Sequence, residues 1–139
     1  MPLDRLVPEL YCADLKKSLD FYVKALGFKV LYERTEERFA YLERESVHLM
    51  LEELGSGGRE WITGELKPPF GRGVNFQIPV SDATQLHNNL QKLGYSLFLP
   101  LEEKWYRRDK LQVGNRQFIV QDPDGYLLRF AQDLGSRPV

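Results

Sequence analysis

The stretch "VPELYCADLKKSLDFYVKALGFKV", Val7–Val30, decides the fold, because the chain repeats its plan once. Leu6 to Cys12 reads as a short strand, and Asp14 stands where a helix N-cap belongs. Leu15, Leu19, Tyr22 and Leu26 follow at helical spacing, and Gly27 ends the helix. Three strand-like runs come next: Phe28 to Glu33, Phe39 to Glu43, and Val47 to Glu52. The order then returns. Val74 to Val80 reads as a strand and Asp82 as the second N-cap. Ala83, Leu86, Leu90 and Leu93 form the second helical stripe, closed by Gly94. Ser96 to Leu101, Arg116 to Gln121 and Tyr126 to Ala131 read as the last strands. Even the letters echo, "ALGF" at 25–28 against "KLGY" at 92–95.

This pattern predicts an α+β protein. Two tandem βαβββ modules, about residues 6–53 and 73–132, form one domain over 1–139 and curve into an incomplete barrel with a concave cleft and helices outside. The tail from Asp133 to Val139 is polar and expected to fray.

Composition narrows the function. At 139 residues and 42% hydrophobic, the chain has length enough to bury a core without staples. The net charge of −1, with Lys and Arg balancing Asp and Glu, argues against a nucleic-acid footprint. No apolar run is long enough to span a membrane, and no signal-peptide core stands near the start. The lone Cys12, in an apolar strand without an adjacent His, reads as a packed thiol and points to the cytoplasm.

Strand alternation sorts side chains onto two faces. Glu9, Tyr11, His48, Met50, Glu52, Asn75, Gln77 and Arg129 fall opposite the apolar sets. Such a mixture suits either a solvated sheet face or a small-molecule site. Trp61 and Trp105 lie in expected loops, either as binding rings or as loop anchors. "WYRRDK" at 105–110 reads as a solvated lid or an anion-binding segment. "GSGG" at 55–58 lacks a following Lys and a helix start, so it is a flexible loop, not a phosphate cradle. In "DPDG", 122–125, Pro123 sets φ, Asp124 bonds locally and Gly125 accepts a positive φ. His87 reads as a boundary residue, and no nucleophile–base pair is visible.

The βαβββ pair resembles the vicinal oxygen chelate superfamily, which includes glyoxalases, extradiol dioxygenases and bleomycin-resistance proteins. The stretches that carry the likeness are 7–30 and "RQFIVQDPDGYLLRF" at 116–130, and it extends from about Leu6 to Gln132. The resemblance places the family's metal ligands at Val7, at Met50 (or Glu52 if the register slips by two), at Asn75 and at Arg129. Val, Met and Asn are poor donors for such a cation, and a guanidinium has no lone pair. We therefore expect no metal, no cofactor and no catalytic residue.

Among metal-free members the chain is similar to the bleomycin-resistance proteins: "VP" in the first strand, "LGF" after the helix, "FA" near the third strand and "DPDGYLLR" at the end. This likeness implies antibiotic binding and sequestration by a cytoplasmic homodimer, with clefts at the dimer interface and an exchanged N-terminal strand. The implied ligand-binding residues are Tyr32, Phe39, His48, Glu52, Trp61, Asn75, Trp105, Tyr106 and Arg129. The family's cleft tryptophan before the seventh strand is absent; "QVGN" stands there, with Trp105 and Tyr106 a few residues earlier. The alternative is a metal-dependent lyase or dioxygenase with the unusual ligands His48, Glu9 and Glu52. Arg129 is expected to pair with Glu9 or Glu52, because an unpaired buried guanidinium is costly.

Overall fold

The structure, a computed structural model, describes residues 3–139. The chain divides into two compact units, Met1–Pro68 and Pro69–Val139, and each has the βαβββ order.

In unit 1, strand β1 (Glu9–Cys12) leads into helix α1 (Leu15–Leu19). Asp14 caps α1 by accepting from the Lys17 amide at 3.2 Å. The helix then widens into a π-helical segment, Asp20–Ala25, in which the Leu26 amide reaches back to the Phe21 carbonyl at 3.1 Å. Ser18, Phe21, Tyr22, Ala25 and Leu26 are buried, while Leu15 and Leu19 of the expected stripe are only half-buried. Strands β2 (Lys29–Arg34), β3 (Phe39–Arg44) and β4 (Val47–Glu53) complete an open sheet in the order β1-β4-β3-β2. β1 runs parallel to β4, and the other pairs are antiparallel. Cys12, Tyr22, Leu26, Phe28, Leu42 and Leu51 form the packed core. Cys12 is fully buried, as expected of an inert thiol.

Unit 2 repeats the plan with β5 (Asn75–Pro79), α2 (Ala83–Lys92), β6 (Leu99–Arg108), β7 (Leu111–Gln121) and β8 (Leu127–Pro138), in sheet order β5-β8-β7-β6. Asp82 caps α2 through the Gln85 amide at 3.0 Å. Ala83, Leu86 and Leu90 are buried, but Leu93, expected in the same stripe, is exposed just past the helix end. α2 packs on β7 and β8, where Phe118 and Phe130 stack with centroids 5.5 Å apart.

Two expectations for unit 2 are corrected. The segment 105–108 is not a loop but the end of β6, and Trp105 pairs with Gly114. The tail does not fray up to Pro138: it extends β8, with Gln112 opposite Arg137 and Leu111 opposite Pro138. Polar, exposed edge strands show no apolar alternation, so their pairing was hidden from a reading of pattern. In the 122–125 turn Asp122 is a local acceptor. Asp122 is buried, and its Oδ1 takes the amides of Asp124 at 2.9 Å and Tyr126 at 3.0 Å. Gly125 does adopt a positive φ, +103°, and a Cβ there would stand 2.4 Å from the Pro69 Cβ. Among the described residues no helix is long and apolar enough to cross a membrane.

Candidate functional site: two polar sheet faces

Each unit packs its helix on one face of its sheet and carries the expected polar side chains on the other. In unit 1, register places Tyr11 and Phe39 on either side of Glu52, and Tyr41 beside Met50. Tyr32, on the neighbouring strand, lies opposite Tyr41, and the two rings stack at 5.0 Å with planes 14° apart. Phe39 sits 6.0 Å from Tyr32 and is capped by the Arg34 guanidinium, 4.0 Å above its ring. Tyr32 is 41% exposed, so this aromatic wall is open at the β2 edge.

Glu52 is the unusual member. It is 5% exposed, and its Oε2 has no hydrogen-bond partner among the described residues. Such groups are rare because stripping water from a carboxylate without replacing its donors is costly. Burial first, and then the nearby Glu9 carboxylate, hold the Glu52 carboxyl above its ordinary value, and Arg34 opposes this only in part. Gly58 of the following loop approaches: a Cβ there would lie 3.7 Å from both Glu52 oxygens. The same loop is anchored by Tyr11, whose hydroxyl accepts the Trp61 amide at 2.9 Å and points toward Glu9 Oε1 at 3.4 Å. Burial raises the pKa of the Tyr11 phenol. The Trp61 ring is 68% exposed, with the Arg59 guanidinium 4.5 Å from it.

His48 is buried and committed to other groups. Its Nδ1 lies 2.7 Å from the Tyr41 hydroxyl and its Nε2 3.2 Å from Arg5 Nη1. A guanidinium only donates, so Nε2 accepts and the ring proton sits on Nδ1, toward Tyr41. His48 therefore positions Tyr41.

In unit 2, Arg129 lies opposite Gln77 on one side and Ile119 on the other. Its Nε donates to Asn75 Oδ1 at 3.3 Å and its Nη1 to Gln117 Oε1 at 3.5 Å. Within unit 2 the guanidinium meets two neutral amides of its own sheet. Gln117 is 2% exposed, and its Nε2 donates to Glu102 Oε2 at 2.8 Å and to the Tyr106 hydroxyl at 2.7 Å. Trp105 does not join this group. Its ring covers Gly114, where a Cβ would stand 2.7 Å away, and carries the Arg137 guanidinium 4.0 Å above it. Strand alternation sends Trp105 and Tyr106 to opposite faces.

The structure thus groups Tyr32, Phe39 and Glu52 in unit 1, and Asn75, Tyr106 and Arg129 in unit 2. It gives His48 a supporting role and leaves the Trp61 ring exposed beside Arg59. Tyr41, Arg34 and Gln117 were missed as site residues. Tyr41 was within reach, since it lies two residues beyond Phe39 on one strand. Arg34 and Gln117 are revealed only by their tertiary partners.

The family's metal positions can be tested on donor chemistry. Val7 has no donor atom and Arg129 no lone pair, so those positions do not fit a cation. Among the described residues no three His, Cys, Asp or Glu side chains come together to hold one.

Comparison with known proteins agrees with this architecture. Residues 3–130 match the Glyoxalase/Bleomycin resistance protein/Dioxygenase superfamily. A bleomycin resistance protein of Geobacillus stearothermophilus is 28% identical over 141 aligned residues, covering 94% of this chain and 97% of that protein. A solved superfamily member from Vibrio splendidus 12B01 is 43% identical over 94% of this chain and 98% of its own, with a TM-score of 0.44. TioX from Micromonospora sp. ML1 superposes with a TM-score of 0.71 at 24% identity, covering 94% of this chain and 99% of its own. The family match over residues 3–130, with the repeated βαβββ order and the open four-stranded sheets, places the chain in the glyoxalase/bleomycin resistance protein/dioxygenase superfamily.

Proposed function

We propose that the chain binds a bulky antibiotic of the bleomycin type and withholds it from its target, without a metal centre and without chemical change to the ligand. The observation that carries this reading is the open face of unit 1. There the Tyr32–Tyr41 stack and Phe39 stand in the same sheet as a buried carboxylate with an unpartnered oxygen. A planar heteroaromatic tail gains by stacking on such rings, and a cationic group gains from Glu52, whose desolvation has already been borne in folding. Sequestration needs stacking and charge complementarity only, and kinship with bleomycin resistance proteins supports it. In this reading the two units act as one domain, and the protein works as a cytoplasmic homodimer.

Titration of the purified chain with bleomycin, with and without copper, tests the proposal through tryptophan fluorescence. Saturable quenching, with the ligand recovered at unchanged mass, is expected. A ligand of altered mass, or stoichiometric Zn, Ni, Fe or Mn needed for binding, would refute it. Sedimentation equilibrium at a monomer's mass would refute the homodimer.

A further inference from the structure

We propose that the open sheet face of unit 2 is an oxyanion site, built to take a carboxylate or phosphate group on Arg129, Asn75 and Tyr106. The direction of the hydrogen bonds leaves donors unused on this face. Arg129 spends its Nε and one Nη1 proton on the oxygens of Asn75 and Gln117, and its Nη2 amino group has no acceptor among the described residues. Because the Asn75 oxygen faces the guanidinium, the Asn75 amide nitrogen is turned away from it, and it too has no acceptor among the described residues. The Tyr106 oxygen accepts from Gln117, which leaves its own proton to donate. Three donor groups, linked through Gln117 and Arg129, therefore have no acceptor among the described residues.

The arrangement is rigid where it needs to be. Gln117 is 2% exposed and held by Glu102 and Tyr106, and its oxygen accepts from the guanidinium at 3.5 Å. Glu102 is the carboxylate in this network, but it bonds to Gln117 and forms no ion pair with Arg129 among the described residues. A guanidinium with a free edge takes a planar or tetrahedral oxyanion through paired N–H groups, and charge makes those bonds stronger than neutral ones. The site uses residues of unit 2 alone, none of which carries the antibiotic reading at unit 1, so either proposal can fail without the other.

Inorganic phosphate and benzoate, titrated separately into the full chain at constant ionic strength, test the site. The readout is the 15N–1H signal of the Arg129 Nε–H group. A saturable shift with either probe is expected; benzoate alone identifies a carboxylate ligand, and phosphate alone a phosphoryl one. Arg129→Gln is expected to weaken binding about tenfold or more, as loss of a charge-assisted hydrogen bond requires. Asn75→Asp keeps the guanidinium but places a carboxylate on it, and is expected to block the site to a similar degree, read through the same signal. No saturable shift with either probe overturns the proposal. So does binding, followed by calorimetry, that both variants leave unchanged.

Discussion

Replacing Glu52 by Gln is expected to stabilise the free protein and to weaken bleomycin binding. Glu52 is 5% exposed and one of its oxygens has no partner, so its charge is held without the donors that water would supply. A buried group left unsatisfied costs about 1–3 kcal/mol, more when charged, and the neutral amide removes the charged part of that cost. We therefore expect the variant to be more stable at neutral pH by about 1–3 kcal/mol, a rise in Tm on the order of 5 °C for a chain of this size. The pH dependence identifies the cause. The folded pKa lies above the ordinary 4.5, so the folded state holds the Glu52 proton where the unfolded state has released it. Stability of the parent protein then falls as pH rises through the window between 4.5 and the raised value, and is level above it. The gain from Glu52→Gln should be smallest below that window and constant above it. Thermal unfolding of both proteins from about pH 4 to about pH 8 reads this directly. A variant no more stable than the parent at any pH, or one whose advantage shrinks as pH rises, would refute the reasoning. In the same variant, bleomycin affinity should drop about tenfold or more if a cationic group of the ligand rests on the carboxylate.

The remaining predictions concern parts that need no ligand chemistry beyond stacking. Tyr32→Ala removes the half-exposed partner of the stack with Tyr41, so it should lower bleomycin affinity about three- to tenfold while leaving urea unfolding nearly unchanged. Gly114→Ala puts a methyl group 2.7 Å from the Trp105 ring and should destabilise unit 2 by about 1–3 kcal/mol. The double variant Trp105→Ala/Gly114→Ala should lose less than the two single changes summed, as a double-mutant cycle in urea would show. Asp122→Ala leaves the amides of Asp124 and Tyr126 without their shared acceptor, so a loss of about 2 kcal/mol or more is expected in the same assay.

Much of the fold was legible because it rests on local signals. Asp14 and Asp82 announce helix starts through a side-chain oxygen three residues from the amide it caps, and Gly27 and Gly94, at φ of +81° and +83°, announce the ends. Alternation in β4 and β8 sorted Glu52 and Arg129 onto the faces away from the helices. Where the backbone departs from regular geometry, the signal failed. The π-helical turn at Asp20–Ala25 buries Phe21 beside Tyr22, outside the expected stripe. Exposed pairing along β6, β7 and the end of β8 carried no apolar rhythm to read.

The sequence by itself determined the βαβββ repeat, the placement of polar residues on one face of each sheet, and the poor fit of Val7 and Arg129 to a cation. These follow from residue type and period, which act over a few positions. Only the tertiary structure decided what those polar groups face. It gave Arg129 two neutral amides of its own sheet, turned Trp105 onto Gly114, locked His48 between Tyr41 and Arg5, and left one oxygen of Glu52 without a partner among the described residues. Those outcomes depend on strands brought together from distant parts of the chain, where hydrogen-bond direction and burial are set by register and packing.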